Sequence, residues 1–297
     1  MWFKNLCIYR LPAAGRIDPA ALAAQLAQRT LQSCGASDAQ SIGWVPPRDG
    51  GDLVHAVNHQ LLVALGAEQK LLPASVVNQF ARERAAEIAE AEGRKVGRKE
   101  MREIREQMTL ELLPRAFVRR RTTFAWIDPV HGWLVVDAAA IGKAEELLEL
   151  LRKSVDGFAA RLLKTGQSPA AAMTGWVASG EAPGGFTLDQ DLELRSAEDA
   201  KVRYVKHALE GEEIRRHIAD GKTATRLAMT WSDRVSFVLT EDLQLKRLAF
   251  LDLLKEQNEN QSDDADERFD LDFALMAGEL ARLFDDLLAA LGGEQAA

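Results

Sequence analysis

The sequence predicts an α+β fold, with strand-rich regions on either side of a projecting helical hairpin. Three observations carry this. Short alternating segments bounded by Gly and Pro recur over residues 2–11, 52–72, 113–137 and 185–240. Residues 73–112 switch to helical spacing, and a long apolar stripe closes the chain.

Residues 2–11 read as a first strand, ended by Pro12 and Gly15. Pro19 opens an alanine-rich helix with Leu22, Leu26 and Leu31 on one side. Gly43-Trp44-Val45-Pro46-Pro47 leaves no room for helix past Val45, because each proline pushes its predecessor to an extended conformation. Residues 52–72 suggest two strands with the turn near Gly66-Ala67-Glu68. Beyond Pro73, Val77, Phe80 and Ile88 follow helical spacing; Gly93 and Gly97 interrupt it, and Met101, Ile104, Met108 and Leu112 resume it. Leu113-Pro114 stops the second helix, and a strand hairpin follows around Asp128-Pro129-Val130-His131-Gly132.

An amphipathic helix is expected over 143–163, then a looser boundary segment over 167–185. Strands are expected over 185–195, 201–209, 223–231 and 234–240, with a short helix over 212–219 and a tight turn at Trp231-Ser232-Asp233-Arg234. Residues 257–266 are polar and read as a loop. Phe269, Phe273, Met276, Leu280, Leu283, Leu287 and Leu291 then mark a long helix, whose stripe covers either this chain's own sheet or a partner helix. The expected organisation is a central α+β domain (1–72 and 113–170), a helical hairpin (73–112) and an α+β base domain (171–297) ending in that helix.

The 297 residues, 47% of them hydrophobic, suffice for a sizeable core. No apolar run approaches the roughly 18 residues of a membrane span. The first residues lack the layout of a secretory signal, and Cys7 and Cys34 alone make neither a disulfide framework nor a metal cluster, so a cytoplasmic protein is expected. The net charge of −8 is segregated: residues 256–297 hold twelve acidic and two basic side chains, leaving about +2 on the preceding 255. A polyanion partner responds to the local field, so the overall sign decides nothing.

Catalytic signatures are sparse. No glycine-rich phosphate loop or nucleophile elbow occurs. His55 and His59 stand four apart, but zinc needs three or four ligands and no others are signalled, so they read as polar positions on a solvated face. Asp270 and Asp272 stand at the start of the last helix, where carboxylates oppose the helix dipole, so a structural role suffices. The enzymatic alternative is a metal-dependent exonuclease using Asp270, Asp272 or Glu279. Otherwise neither a cofactor nor a metal is called for.

Basic arrays are the stronger signal, since neutralising phosphates releases counterions and gives affinity without reading bases. Arg94, Arg98, Arg102 and Arg105 share one face of the hairpin, within a stretch of six basic and two acidic residues. Arg119-Arg120-Arg121 form a second array, although consecutive strand residues point to opposite faces. Lys201, Arg203, Lys206, Lys222 and Arg226 form a third, on segments that only folding can bring together. No zinc finger, helix-turn-helix or RNA-recognition aromatic signature accompanies them.

Several short stretches, in order along nearly the whole chain, resemble the recombination-associated RdgC family. They are Trp2-Phe3-Lys4-Asn5-Leu6, Gly43-Trp44-Val45-Pro46-Pro47, Leu112-Leu113-Pro114-Arg115-Ala116-Phe117, Trp126-Ile127-Asp128 and Leu151-Arg152-Lys153-Ser154. Lys246-Arg247-Leu248, Gln257-Asn258-Glu259, Arg268-Phe269-Asp270 through Met276, and Gly278-Glu279-Leu280 complete the set. The resemblance implies a non-enzymatic, nucleoid-associated protein that binds mainly double-stranded DNA without sequence preference and limits access of RecA recombinase. It also implies a ring-shaped homodimer with a basic central hole, which would reconcile DNA binding with the acidic total. By motif position, Phe117 would sit at a dimer contact formed by the hairpin, and Lys206 and Lys222 would face DNA. Arg120, Arg121 and His207 depart from the family's usual pattern. The family has also carried an exonuclease label.

Overall fold

The computed structural model describes residues 1–12, 17–251 and 264–295. Its strands are β1 (Leu6–Arg10), β2 (Gln40–Val45), β3 (Val54–Val57), β4 (Gln60–Leu71), β5 (Phe117–Asp128) and β6 (Trp133–Asp137). β7 (Arg161–Leu162), β8 (Phe186–Arg195), β9 (Lys201–Tyr204), β10 (Thr223–Trp231), β11 (Val235–Thr240) and β12 (Leu245–Phe250) follow. The helices are α1 (Pro19–Leu26), α2 (Ala74–Glu92), α3 (Arg98–Leu112), α4 (Ile141–Ser154), α5 (Pro169–Ser179), α6 (Glu212–Ala219) and α7 (Ala265–Ala290). The fold is α+β, and its strand ladders are antiparallel.

Two compact units form. One comprises Met1–Gln25, Pro46–Val63 and Thr123–Ala297; the other comprises Leu26–Val45 and Ala64–Thr122. In the first, strands run in the order β5-β6-β1-β12-β11-β10-β8-β9. β1 and β6 pair from Leu6↔Asp137 to Arg10↔Trp133, with alternate side chains on opposite faces. On one face, Trp126, Trp133, Leu227, Leu239 and Leu245 join Met173 and Val177 of α5 and Phe273, Met276, Leu280, Leu283 and Leu287 of α7 in a single core. The terminal apolar stripe therefore covers this chain's own sheet. α4 packs on β6 and buries Ala144, Leu147, Leu148 and Leu151.

In the second unit β2 pairs with β4 from Gln40↔Gln69 to Val45↔Ala64. α2 and α3 form the expected hairpin, closed by Val77, Ala81 and Ala85 against Ile104 and Met108. Small side chains on α2 let the helices approach closely, and Gly93 ends α2 in the left-handed region at φ 65°.

Several expectations are corrected. Gly66 is not near a turn: it lies inside β4 opposite Gly43, and a Cβ at Gly43 would stand 2.3 Å from the Leu31 nitrogen. The β3–β4 turn is instead Asn58-His59, both with positive φ (49° and 66°), the backbone twist a tight hairpin demands. The helix expected to reach residue 163 ends at Ser154, because Val155 is extended and Gly157 takes φ 69°; β7 then pairs with β1. The segment read as loose contains α5, capped by Ser168 accepting the Ala171 N–H and ended by left-handed Gly180. β9 stops at Tyr204 rather than 209, and β12 had no counterpart among the expected strands. Of the polar stretch read as a loop, residues 257–263 lie outside the described residues, and 265–266 already belong to α7.

Candidate nucleic-acid interface

Along β10 and β11 the core residues Leu227, Met229, Phe237 and Leu239 alternate with Arg226, Ala228, Val238 and Thr240, which therefore share the opposite face. Register extends that face sideways: Arg226 sits between Glu193 on β8 and Thr240 on β11, Glu193 pairs with Arg203 on β9, and Val238 pairs with Lys246 on β12. The result is a shallow groove of about 230 Å³ lined by Arg203, Arg226, Lys246 and Arg247 together with Asp191 and Glu193. Four cations against two carboxylates leave an electropositive trough within an acidic chain.

Each carboxylate is engaged. Glu193 Oε1 accepts from the Thr225 hydroxyl at 3.0 Å and stands 4.0 Å from Arg226 Nε. Asp191 accepts the Lys206 backbone N–H at 3.0 Å through Oδ1 and Arg247 Nη1 at 3.2 Å through Oδ2. Lys206 and Arg247 are both left-handed, at φ 53°.

Of the residues nominated from the sequence, Arg203 and Arg226 line the groove and Lys206 adjoins it through Asp191. Lys222 does not line the groove; its Nζ stands 2.9 Å from His217 Nδ1 at the end of α6. Lys246 and Arg247 were missed as binding candidates. Their signal was a Lys-Arg pair directly after Leu245, in a stretch too irregular to read as a strand.

The other nominated arginines lie in the second unit. Arg94 is clamped by both oxygens of Glu100 (2.7 Å each) and by Glu92 (2.6 Å), partners that hold its guanidinium even more firmly protonated than usual. Arg102 pairs with Glu106 at 2.9 Å, and Arg98 is exposed. Arg119 donates to Gln69 at 3.3 Å and Arg120 to Glu68 at 2.6 Å; these successive β4 residues point to opposite faces, as do the arginines that reach them. Glu68 is buried, and the Cys34 N–H and then Arg120 hold its carboxyl below the usual range. Arg121 is half-buried. Phe117 opens β5 with 85% of its surface exposed.

The carboxylates of the exonuclease alternative do not converge. Asp270 faces His55 at 2.9 Å and Arg48 at 3.8 Å, Asp272 Oδ2 accepts from the Met1 amino group at 2.7 Å, and buried Glu279 meets Arg234 at 2.8 Å and Arg282. Among the described residues no group of three His, Cys, Asp or Glu side chains is placed to hold a metal, His55 and His59 included. No described helix is long and apolar enough to cross a membrane.

A family model described as "Putative exonuclease, RdgC" matches residues 1–294. "Recombination-associated protein RdgC" of Janthinobacterium sp. (strain Marseille) is 54% identical over 296 residues, spanning 99% of each chain. Its namesake from Herminiimonas arsenicoxydans is 55% identical over 298 residues, spanning 100% of this chain and 99% of its own. That of Cupriavidus pinatubonensis is 52% identical over 299 residues, spanning all of both. With a match along nearly its whole length and more than half of its residues shared with such relatives, the chain belongs to the RdgC family of recombination-associated proteins.

Proposed function

We propose that this protein binds duplex DNA through its phosphate backbone, without sequence preference, cofactor or catalysis. The observation that carries the reading is the groove where Arg203, Arg226, Lys246 and Arg247 meet on one sheet face. Guanidinium and ammonium groups there match phosphate oxygens, and no aromatic side chain for base stacking is among the described residues that line the groove. The relatives' description as recombination-associated fits a DNA partner.

In this reading the protein works as a ring-shaped homodimer, nucleoid-associated in the cytoplasm, that encloses duplex and limits RecA access. The helical hairpin serves as a tip, residues 1–72 and 113–170 as the centre and 171–297 as the base. Phe117, a large apolar side chain 85% exposed beside the hairpin, supports a contact between copies there. Lys206 and Lys222 face the DNA, while the ion-paired hairpin arginines Arg94 and Arg102 contribute less than the groove.

The test is fluorescence anisotropy with random-sequence duplexes across a salt series. Affinity should fall linearly on logarithmic axes, with a slope of about −0.9 per phosphate contacted. Charge reversal at Arg226 with Lys246, or at Lys206 with Lys222, should weaken binding equally for unrelated sequences. Negligible duplex binding at low salt would overturn the reading.

A further inference from the structure

We propose that Asp191 is a positioning residue that assembles one phosphate-binding cluster from two cations far apart in sequence, Lys206 and Arg247. The inference rests on the duplex-binding reading above and deepens it.

Asp191 lies where β8 slips register against β10: Leu192 pairs with Leu227 but Leu188 with Met229, so the intervening β8 residues bulge from the ladder. Its two oxygens then serve two different segments. Oδ1 accepts the Lys206 N–H at 3.0 Å, just past the end of β9, and Oδ2 accepts Arg247 Nη1 at 3.2 Å, from β12. Both recipients hold φ 53°, a conformation that side chains bearing a Cβ rarely adopt. Neither is left to hold it alone. Asp191 fixes Lys206, and Asn5 Oδ1 accepts the Arg247 N–H at 3.3 Å where β12 bulges opposite Ser236 and Val238. Strained backbone over-determined by its surroundings, twice, and joined by one carboxylate, points to side chains aimed for a purpose.

The purpose follows from what remains free. The Arg247 side chain is 62% exposed and the Asp191 side chain 27%. A single contact to Asp191 leaves most of the five guanidinium donors for a ligand. Arg247 lines the same trough as Arg203, Arg226 and Lys246, so a phosphodiester lying there meets a fixed fork instead of a mobile side chain.

A purely electrostatic role for Asp191 predicts the opposite sign. A carboxylate beside a polyanion repels it, so removing the charge would tighten binding, and moving it by one methylene would change nothing. Positioning predicts weaker binding in both cases.

The experiment uses the full-length chain and a random-sequence duplex in anisotropy salt series, with folding checked by circular dichroism. Asp191→Ala should weaken binding about tenfold and reduce the salt slope by about one, the signature of one lost phosphate contact. Asp191→Glu, with charge unchanged, should weaken binding about threefold, an intermediate loss for a displaced carboxylate. It decides the question should the alanine variant not fold. Arg247→Ala combined with Asp191→Ala should be weaker than Arg247→Ala alone by less than Asp191→Ala weakens the wild type, since the two share the Arg247 fork and only the Lys206 share remains to be lost. Unchanged or tighter binding in the Asp191 variants, with wild-type binding intact, overturns the assignment while sparing the duplex-binding reading. Absence of wild-type binding overturns both.

Discussion

The Glu279 carboxylate is wholly enclosed by the core yet lies 2.8 Å from the guanidinium of Arg234, which is 40% exposed. An ion pair with one end in the interior and the other at the surface ties α7 to the sheet. Arg282, one turn along α7, meets the same oxygen, while Oε2 has no hydrogen-bond partner among the described residues. Two cations on one oxygen anchor a buried acid; they do not display it to a substrate.

Glu279→Ala should therefore lower stability by about 1.5–3 kcal/mol, the range for a lost hydrogen bond between charged groups, and should leave duplex binding of the folded fraction intact. Chemical denaturation checks the first part and anisotropy the second. Magnesium-dependent nucleotide release lost in this variant, or in Asp270→Ala, without a loss of folding would establish the exonuclease alternative instead.

Phe117→Ala should leave the monomer fold unchanged, because a side chain 85% exposed contributes little to the core. In solution it should weaken a contact between copies. Light scattering would show a larger monomer fraction, and retention on closed circular duplex should fall more than affinity for short linear duplex. A variant that self-associates and is retained like wild type removes Phe117 from the interface.

Acid should weaken the hold of Glu68 on the second unit. Glu68 has a folded-state pKa held below its ordinary value, first by the Cys34 N–H and then by Arg120. Its contribution is fully present above the ordinary carboxylate range and is lost as pH falls through the depressed value. Glu68→Gln should thus be less stable than wild type at neutral pH and converge with it below about pH 4, the region where free carboxylates titrate. A constant gap in thermal midpoint across that range would contradict this.

Gly43→Ala should be among the more disruptive single-methyl additions. Its Cβ would fall 2.3 Å from backbone of Leu31, whose N–H donates to the Trp44 carbonyl at 3.0 Å. Backbone cannot step aside as a flexible side chain can, so a loss of about 1–3 kcal/mol is expected, measurable by urea denaturation.

Much of the fold was legible because its signals are local. The α7 stripe from Phe273 to Leu287, the left-handed stop at Gly93 and the turn at Ser232-Asp233 each express periodicity or turn chemistry within a few residues. Others were local but outvoted: Ser168-Pro169 and Gly180 are proper caps, obscured by the small, weakly periodic residues between them. Gly66 was misplaced because its smallness answers to Val45 and Leu31, which only folding brings to it. The interface divided the same way. Arg94 and Arg102 stood out in sequence yet pair with carboxylates, whereas Lys246 and Arg247 acquire meaning only once β12 lies beside β11.

Left-handed Lys206 and Arg247 imply an evolutionary tension. Glycine at either site would relieve strain of about 1 kcal/mol, so a search for thermal robustness alone should drift towards it. Every such gain would delete a cation from the trough or its margin. Sequences selected for hardiness and sequences selected for grip on nucleic acid should part company at these two positions, and heat resistance should be the poorer guide to which variants still work.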